Sequence, residues 1–256
     1  MNGAFYIAGV GLDTQQSALD TLANNIANLN TSGFKRSQVQ FSELVSASAR
    51  EADTQNTRPA TETGLAGVAM ISRMALNQQG DLERTDQTLD LAINGAGFIE
   101  VLGESGQRHL WRGGRLQVNS DGFLAASNGM MLASHISIPD SAVDLRINSE
   151  GQVTAIFEGG ETETIGEIDL LRLRSPDGVT RLDGGFYRVD DKSTVENASA
   201  DIEGMGSFVQ GSLERSNVEL NREMVEMMIV QRAYAANAQI VQAADQMSSI
   251  ANNLRR

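Results

Sequence analysis

Apolar residues recur at helical spacing near the beginning of the chain. Between residues 5 and 29 they fall seven positions apart in two neighbouring rows, which predicts a helix. The turn-forming run Asn30-Thr31-Ser32-Gly33 ends this pattern. The first row holds Phe5, Leu12, Leu19 and Ile26, and the second holds Leu22 and Leu29.

The end of the chain shows a second helical pattern. Residues 219–254 contain neither glycine nor proline, so the pattern predicts one helix about 54 Å long at 1.5 Å per residue. A long helix with a narrow apolar stripe needs a partner. The spacing leaves open a two-helix hairpin within one monomer or an assembly of several helices. One row holds Leu220, Met227, Tyr234 and Val241, and its neighbour holds Ile240, Met247 and Leu254.

The middle of the chain alternates apolar and polar residues and is divided by Asn-Gly and Asp-Gly pairs, which favour antiparallel strands joined by tight turns. The predicted fold class is therefore α+β, with paired, coiled-coil-like N- and C-terminal long helices and a central antiparallel all-β domain. The predicted domains are terminal helices over residues 1–36 and 217–256, an extended connector over residues 37–79 and the β domain over residues 80–216.

A heptapeptide recurs on either side of the β region. Residues 79–85 and 210–216 agree at five of seven positions, in the pattern Gln-Gly-x-Leu-Glu-Arg-x. Chance similarity in a glycine-rich chain is one explanation. The other is a pair of similar strands, paired or adjacent, and in that case we expect Leu82 and Leu213 to face one apolar patch.

Composition narrows the possible functions. A net charge of −13 argues against nucleic acid and anionic membrane surfaces as partners, because both require a basic face. The absence of cysteine excludes disulfides and thiolate chemistry. The first basic residue is Lys35, so a secretory signal with a positive n-region is not expected, and export would need another route.

Motifs for catalysis are weak. The two histidines, His109 and His135, lie far apart without cysteine, and Ser32-Gly33-Phe34-Lys35 matches S-x-x-K only within a turn. We therefore expect no enzyme activity, catalytic residue, metal or cofactor. A periplasmic hydrolase with a carboxylate pair and a secreted coiled-coil adhesin remain as alternatives of other classes.

Three separated stretches resemble the flagellar basal-body rod and hook axial protein family. They are Ala23-Asn24-Asn25-Ile26-Ala27-Asn28-Leu29-Asn30-Thr31-Ser32-Gly33-Phe34-Lys35-Arg36, Leu89-Asp90-Leu91-Ala92-Ile93-Asn94-Gly95-Ala96-Gly97-Phe98, and a C-terminal set built on Asn217, Glu223, Gln231-Arg232-Ala233-Tyr234 and Asp245. The residues that carry the family pattern are Asn24, Asn25, Asn28, Gly33, Phe34, Lys35, Asn217, Glu223, Arg232 and Asp245. Two departures stand in the middle, where Leu110-Trp111-Arg112-Gly113-Gly114 replaces a Tyr-Thr-Arg-x-Gly pattern and Ile99 replaces a phenylalanine.

The resemblance implies a structural subunit of the flagellar basal-body rod that self-assembles into a helical tube and transmits torque from motor to hook. Within the family the chain is most similar to the distal rod member, with the proximal rod sibling as the alternative. The implied partners are further copies of the chain, other rod proteins, the hook protein, surrounding ring proteins and the flagellar type III export apparatus. The implied location is periplasmic, within the basal body.

The assembly interface is expected on the apolar rows of the two terminal helices. Its predicted residues are Leu12, Leu19, Leu22, Ile26, Leu29, Leu220, Met227, Tyr234, Val241, Met247 and Leu254.

Overall fold

A computed structural model describes residues 2–44, 67–103, 106–174, 178–189, 195–198 and 205–253. Within them, helix α1 spans Asn2–Ala27 and helix α2 spans Leu220–Asn253. Eighteen strands lie between the helices in the described ranges. They are β1 (Ser37–Leu44), β2 (Gly67–Met74), β3 (Leu82–Arg84), β4 (Asp90–Asn94), β5 (Phe98–Leu102), β6 (Arg108–Trp111), β7 (Gly113–Val118), β8 (Leu124–Ala126), β9 (Met131–Leu132), β10 (Ala142–Ile147), β11 (Gln152–Phe157), β12 (Thr162–Glu167), β13 (Leu170–Leu173), β14 (Val179–Arg181), β15 (Phe186–Val189), β16 (Val195–Ala198), β17 (Ser207–Gln210) and β18 (Ser212–Glu214).

The chain divides into two compact units. The helical unit comprises Met1–Ile26, Ser37–Arg73 and Glu219–Arg256, and β1 and β2 form a two-stranded sheet in it. The β unit comprises Ala27–Arg36 and Met74–Val218. No helix of the described residues is long and apolar enough to cross a membrane.

The β unit is built around one large antiparallel sheet. Its main path runs β14-β15-β6-β5-β9-β8-β7-β4-β17, and β13 joins it through β5 while β16 pairs with β13. Buried side chains from this sheet and from β10 and β11 share one apolar core, in which Trp111 stacks on Phe186 with ring centroids 5.8 Å apart. A second cluster packs around Phe98 and Tyr187, whose rings meet edge to face.

A glutamine side chain holds the small sheet β10-β11-β12 in the unit. Gln210 Oε1 accepts a hydrogen bond from the Ile147 N–H at 3.0 Å, and Gln210 Nε2 donates to the Leu145 carbonyl at 2.8 Å. The same Nε2 donates to the Thr88 carbonyl at 2.7 Å. The amide therefore satisfies backbone groups of β10 in the way that a neighbouring strand would.

The repeated heptapeptides pair with each other. β3 and β18 run antiparallel, with Leu82 opposite Glu214 and Glu83 opposite Leu213. The predicted pairing of similar strands is confirmed. The expectation of a shared apolar patch is wrong. The register places each leucine opposite a glutamate, and successive side chains of a strand point to opposite faces. Leu82 and Leu213 therefore lie on opposite faces of this two-stranded sheet.

The predicted fold class is wrong in one respect, the paired coiled-coil-like helices. The described residues contain one helix near each end and a large, β-sheet-rich centre, without a coiled-coil pair. On α2 the predicted rows include the exposed Leu220, Tyr234 and Met247. A seven-residue interval returns to nearly the same side of any helix, so the spacing identified rows but not the side that faces inward.

Candidate functional site

The segment that follows α1 is buried although it is mostly polar. The helix ends in turns in which the N–H groups of Thr31 and Phe34 donate to the carbonyls of Asn28 and Thr31. Gly33 follows with a φ of +70°, a conformation that favours glycine. Phe34 and Lys35 are then almost completely buried in the β unit.

Three charged side chains meet in this interior and form what we call the ionic cluster, Lys35, Arg112 and Glu214. Lys35 Nζ lies 2.5 Å from Glu214 Oε1, and Arg112 Nε lies 2.7 Å from Glu214 Oε2. The three side chains are 1%, 3% and 2% exposed. One carboxylate on β18 therefore joins the segment after α1 to the residue that separates β6 from β7.

The other polar atoms of the ionic cluster bind the backbone. Lys35 Nζ donates to the Gln78 carbonyl at 2.7 Å, and Glu214 Oε1 also accepts the Gly80 N–H at 2.9 Å. The Arg112 guanidinium donates to the carbonyls of Gly95 and Gly97. Two cations face one carboxylate, so these carbonyl dipoles supply the remaining stabilisation of positive charge.

Burial changes the acidity of Lys35. Removal of its ammonium from water lowers the pKa to about 8, against an ordinary value of 10.5. The carboxylate of Glu214 opposes this change, while the positive charge of Arg112 adds to it. Burial therefore makes the charged form of Lys35 less stable than it would be in water, and the hydrogen-bond geometry of its site holds the side chain in place.

A second layer covers the same segment. The Arg181 guanidinium lies 4.2 Å from the centroid of the Phe34 ring and donates to the Lys35 carbonyl. Tyr187 Oη donates to the Gly33 carbonyl at 3.3 Å. Burial lowers the pKa of Arg181 and raises the pKa of Tyr187 to about 12.

Asn217 links three stretches of the β unit through one amide. Its Oδ1 accepts the Arg36 N–H at 2.6 Å, and its Nδ2 donates to the carbonyls of Ala75 at 3.3 Å and Gln78 at 2.9 Å. A carboxamide offers both donors and an acceptor, so it can satisfy backbone groups that have no strand partner.

The helical unit has its own buried polar contact. Asn25 Nδ2 donates to Glu223 Oε2 and to the Ser37 carbonyl, each at 2.9 Å, and the Ser37 N–H donates to Asn25 Oδ1 at 3.0 Å. Asn25 and Glu223 are completely buried. One side chain therefore ties α1 to α2 and to the start of β1.

These clusters are suited to holding chain segments in place. Each buried charge of the ionic cluster has a hydrogen-bonded partner, which is the condition under which charges are tolerated inside a protein. No group of three or more His, Asp or Glu side chains that could hold a metal ion occurs in the described part of the chain.

The structure distributes the predicted interface residues over different environments. Leu22 is buried, and Leu220, Tyr234 and Met247 are exposed. Leu254 lies outside the described residues. The others are half-buried, namely Leu12, Leu19, Ile26, Leu29, Met227 and Val241.

Three of the ten residues of the family pattern belong to the two polar clusters. Asn25 and Glu223 contact each other, and Lys35 belongs to the ionic cluster. Gly33 and Phe34 are buried beside Lys35, and Asn28 and Asn217 are half-buried, whereas Asn24, Arg232 and Asp245 are exposed.

Sequence reasoning missed Arg112 and Glu214. In the sequence, Arg112 is the single charged residue of the apolar stretch Leu110-Trp111-Arg112-Gly113. This position could have indicated a buried charge. Glu214 carries no such signal, since Glu83 occupies the matching position of the other heptapeptide and is exposed.

An apolar surface covers one side of α2. At about 100° per residue, Glu223, Met227, Val230 and Val241 lie within an arc of about 60°, the least exposed side of the helix. Among the described residues of α2, seven of the nine exposed large apolar side chains lie on the opposite half, Leu220 and Tyr234 being the exceptions. We call this half the α2 apolar face, and its residues are Met224, Val225, Met228, Ile229, Ile240, Met247 and Ile250.

Three models of known protein families match parts of this chain. Residues 5–35 match the model described as flagella basal body rod protein, residues 92–155 match the flagellar hook protein FlgE/F/G D1 domain, and residues 209–254 match the flagellar basal body rod FlgEFG protein C-terminal model. The ionic cluster draws one residue from each of these three stretches.

Full-length relatives show the same similarity. The chain is 33% identical over 268 residues to the flagellar basal-body rod protein FlgG of Borreliella burgdorferi, with 100% of both chains covered. It is 32% identical over 251 residues to FlgG of Buchnera aphidicola from Acyrthosiphon pisum, covering 95% of this chain and 96% of the relative. It is 31% identical over 257 residues to FlgG of Bacillus subtilis, covering 96% of each.

These matches define the class as structural proteins of the bacterial flagellum. The chain belongs to the flagellar basal-body rod protein family, and it is a structural subunit of the basal-body rod.

Proposed function

We propose that this chain self-assembles into a helical tube through contacts between copies, and that the tube transmits torque from motor to hook without catalysis. The observation that carries the proposal is the α2 apolar face. Seven large apolar side chains lie exposed on one half of a 34-residue helix. Large apolar side chains concentrated on one exposed side of a helix are typical of an interaction site.

The occupant of this face is a second copy of the chain. A rod consists of repeated subunits, so each subunit offers the same surfaces to its neighbours. When the two surfaces in contact are different, the contact does not close and a helical filament results. Full burial of a Val, Ile or Met side chain contributes about 1.5–3 kcal/mol, so repeated burial of the α2 apolar face favours a stable polymer.

The predicted interface residues take different parts in this proposal. Leu220, Tyr234 and Met247 are exposed and available to a neighbouring copy. Leu22 packs inside its own subunit and supports the interface indirectly. The half-buried leucines of α1 add contact area at the margins.

The proposed partners follow from the family. They are other rod proteins, the hook protein and surrounding ring proteins, with export through the flagellar type III apparatus and assembly in the periplasm. The resemblance of the terminal motifs favours a distal position in the rod. Relatives that are structural rod proteins support a role without enzyme activity.

A charge on the α2 apolar face tests the proposal. Ile229→Asp places a carboxylate where a neighbour would bury it, and Gln242→Asp adds the same charge at an exposed polar position of the same helix. We expect both monomers to unfold at the same temperature. Sedimentation of the concentrated full chain should show polymer for Gln242→Asp and wild type but not for Ile229→Asp.

The same variants can be tested in cells. A strain that carries Ile229→Asp as its only copy should produce truncated rods and fail to swim, whereas Gln242→Asp should swim. Normal rods with Ile229→Asp would show that the α2 apolar face is not the contact between copies.

A further inference from the structure

Methionine is concentrated on the surface helix. Four of the ten methionines of the chain lie on α2. Met224 and Met228 stand one helical turn apart, and Met247 stands five turns after Ile229 on the same side. These three are 52%, 51% and 62% exposed, whereas Met227 lies on the least exposed side of α2 and is half-buried.

We propose that the α2 apolar face is an oxidation-sensitive site, at which a peroxide converts Met224, Met228 and Met247 to sulfoxides and thereby blocks contact between copies. This inference rests on the proposed function, because it concerns the surface assigned there to self-assembly. Its ligand class is a hydroperoxide, hydrogen peroxide being the simplest member.

The chemistry needs only the thioether and the peroxide. The sulfur lone pair attacks one peroxide oxygen, an S–O bond forms and the O–O bond breaks. The sulfur is oxidised by two electrons, and the leaving oxygen takes the proton of the transferred hydroxyl and departs as water from hydrogen peroxide or as an alcohol from an organic hydroperoxide. Exposure of the sulfur to solvent governs how fast this occurs, so the three exposed methionines react before Met227.

The product changes the character of the face. A sulfoxide is a strong acceptor on a side chain that was apolar, and a neighbouring apolar surface offers it no donor. Burial of such a group without a hydrogen bond opposes association. A penalty of about 1.4 kcal/mol for one contact raises the concentration needed for assembly about tenfold.

Assembly protects the same sulfurs. In a polymer the α2 apolar face is covered by the next copy, so peroxide reaches it only in the free subunit. We therefore expect peroxide to oxidise these methionines in the free subunit and to leave them unchanged in the polymer.

A triple variant provides the test. Met224→Leu, Met228→Leu and Met247→Leu together keep volume and apolar character while removing the sulfur. The matched control replaces Met130 and Met131, which lie in the β unit, by leucine. Full-length chains are treated with hydrogen peroxide, sulfoxides are mapped by peptide mass spectrometry, and assembly is measured by sedimentation.

The inference is supported if peroxide raises the assembly concentration of wild type and of the Met130/Met131 control at least about tenfold but leaves the triple variant unchanged. It is overturned if oxidised wild type assembles as before, or if the oxidised triple variant fails as wild type does. If untreated Ile229→Asp assembles like wild type, the proposed contact itself fails, and the inference fails with it. Sulfoxide at Met227 before Met228 would also contradict the assigned exposure.

Discussion

Lys35 and Glu214 stand 179 positions apart in the sequence and form a buried ion pair with 2.5 Å between Nζ and Oε1. Lys35 belongs to the segment that follows α1, and Glu214 lies six residues before α2 begins. The two flanks of the β unit are therefore held together by a contact that forms only when both are folded.

Glu214→Gln should destabilise the β unit strongly. The substitution leaves Lys35 and Arg112 buried without their carboxylate, and removal of one member of a buried pair costs about 3–5 kcal/mol. Glu83→Gln is the matched control, because Glu83 holds the same place in the other heptapeptide but is exposed, and exposed pairs contribute about 1 kcal/mol or less. Urea unfolding of the full chain measures both, and equal losses would contradict the role of the ionic cluster.

Stability should rise with pH above 8 because of Lys35. Its pKa is about 8 in the folded protein and near 10.5 when unfolded, so between these values the unfolded chain holds more protons and the free energy of unfolding increases with pH. Above pH 10 the raised pKa of Tyr187, about 12, acts in the opposite direction.

Unfolding measured from pH 7.5 to 10 checks this. Lys35→Met should flatten the rise, and Arg84→Met, which removes an exposed cation, should preserve it. A wild-type stability that falls steadily over this range would exclude the assigned behaviour of Lys35.

Gln210→Glu should loosen the attachment of β10. A carboxylate keeps the acceptor for the Ile147 N–H but loses the donor and faces the carbonyls of Leu145 and Thr88, which costs about 1–3 kcal/mol. Gln79→Glu is the control from the matching position, since its amide donors are 3.4 Å from their acceptors. Thermal unfolding should rank Gln210→Glu as the less stable variant, and the reverse order would contradict this account.

Gly80→Ala and Gly9→Ala should have opposite effects. A Cβ at Gly80 would lie 2.0 Å from the Arg215 carbonyl oxygen, so the backbone must shift at a cost of about 2–4 kcal/mol. A Cβ at Gly9 meets nothing within 4 Å, and alanine within α1 gains about 0.5–1 kcal/mol. Chemical denaturation of the two variants checks the sign, and a stable Gly80→Ala protein would disprove the close approach of the heptapeptides.

The sequence predicted those elements that leave a repeating pattern in the chain itself. Seven-residue rows predicted α1 and α2. The repeated heptapeptide indicated two similar strands as an alternative to chance similarity, and the structure pairs them across 130 positions. The helical rows depend on local chain geometry alone, and the repeat can be read from the sequence before its pairing is known.

Such patterns did not show which side of each helix faces inward. Leu22 is buried while Met247 is exposed, although both lie on seven-residue rows, because the inward side is chosen by contacts such as Asn25 with Glu223. Glu214 was missed for the same reason. Its burial comes from Lys35 and Arg112, which the sequence separates widely and only the fold brings together.

The pairing of β3 with β18 brings together the two ends of the chain segment that lies between these strands. The N–H groups of Thr85 and Asp86 donate to the Gly211 carbonyl at 2.8 and 3.1 Å, so residues 86–210 form an excursion that starts and finishes at a single junction. Extra residues in an exposed turn of this excursion can therefore be accommodated without displacing its ends. The strand pair therefore lets the β unit grow or shrink at its turns while the points at which the chain enters and leaves it keep their spacing.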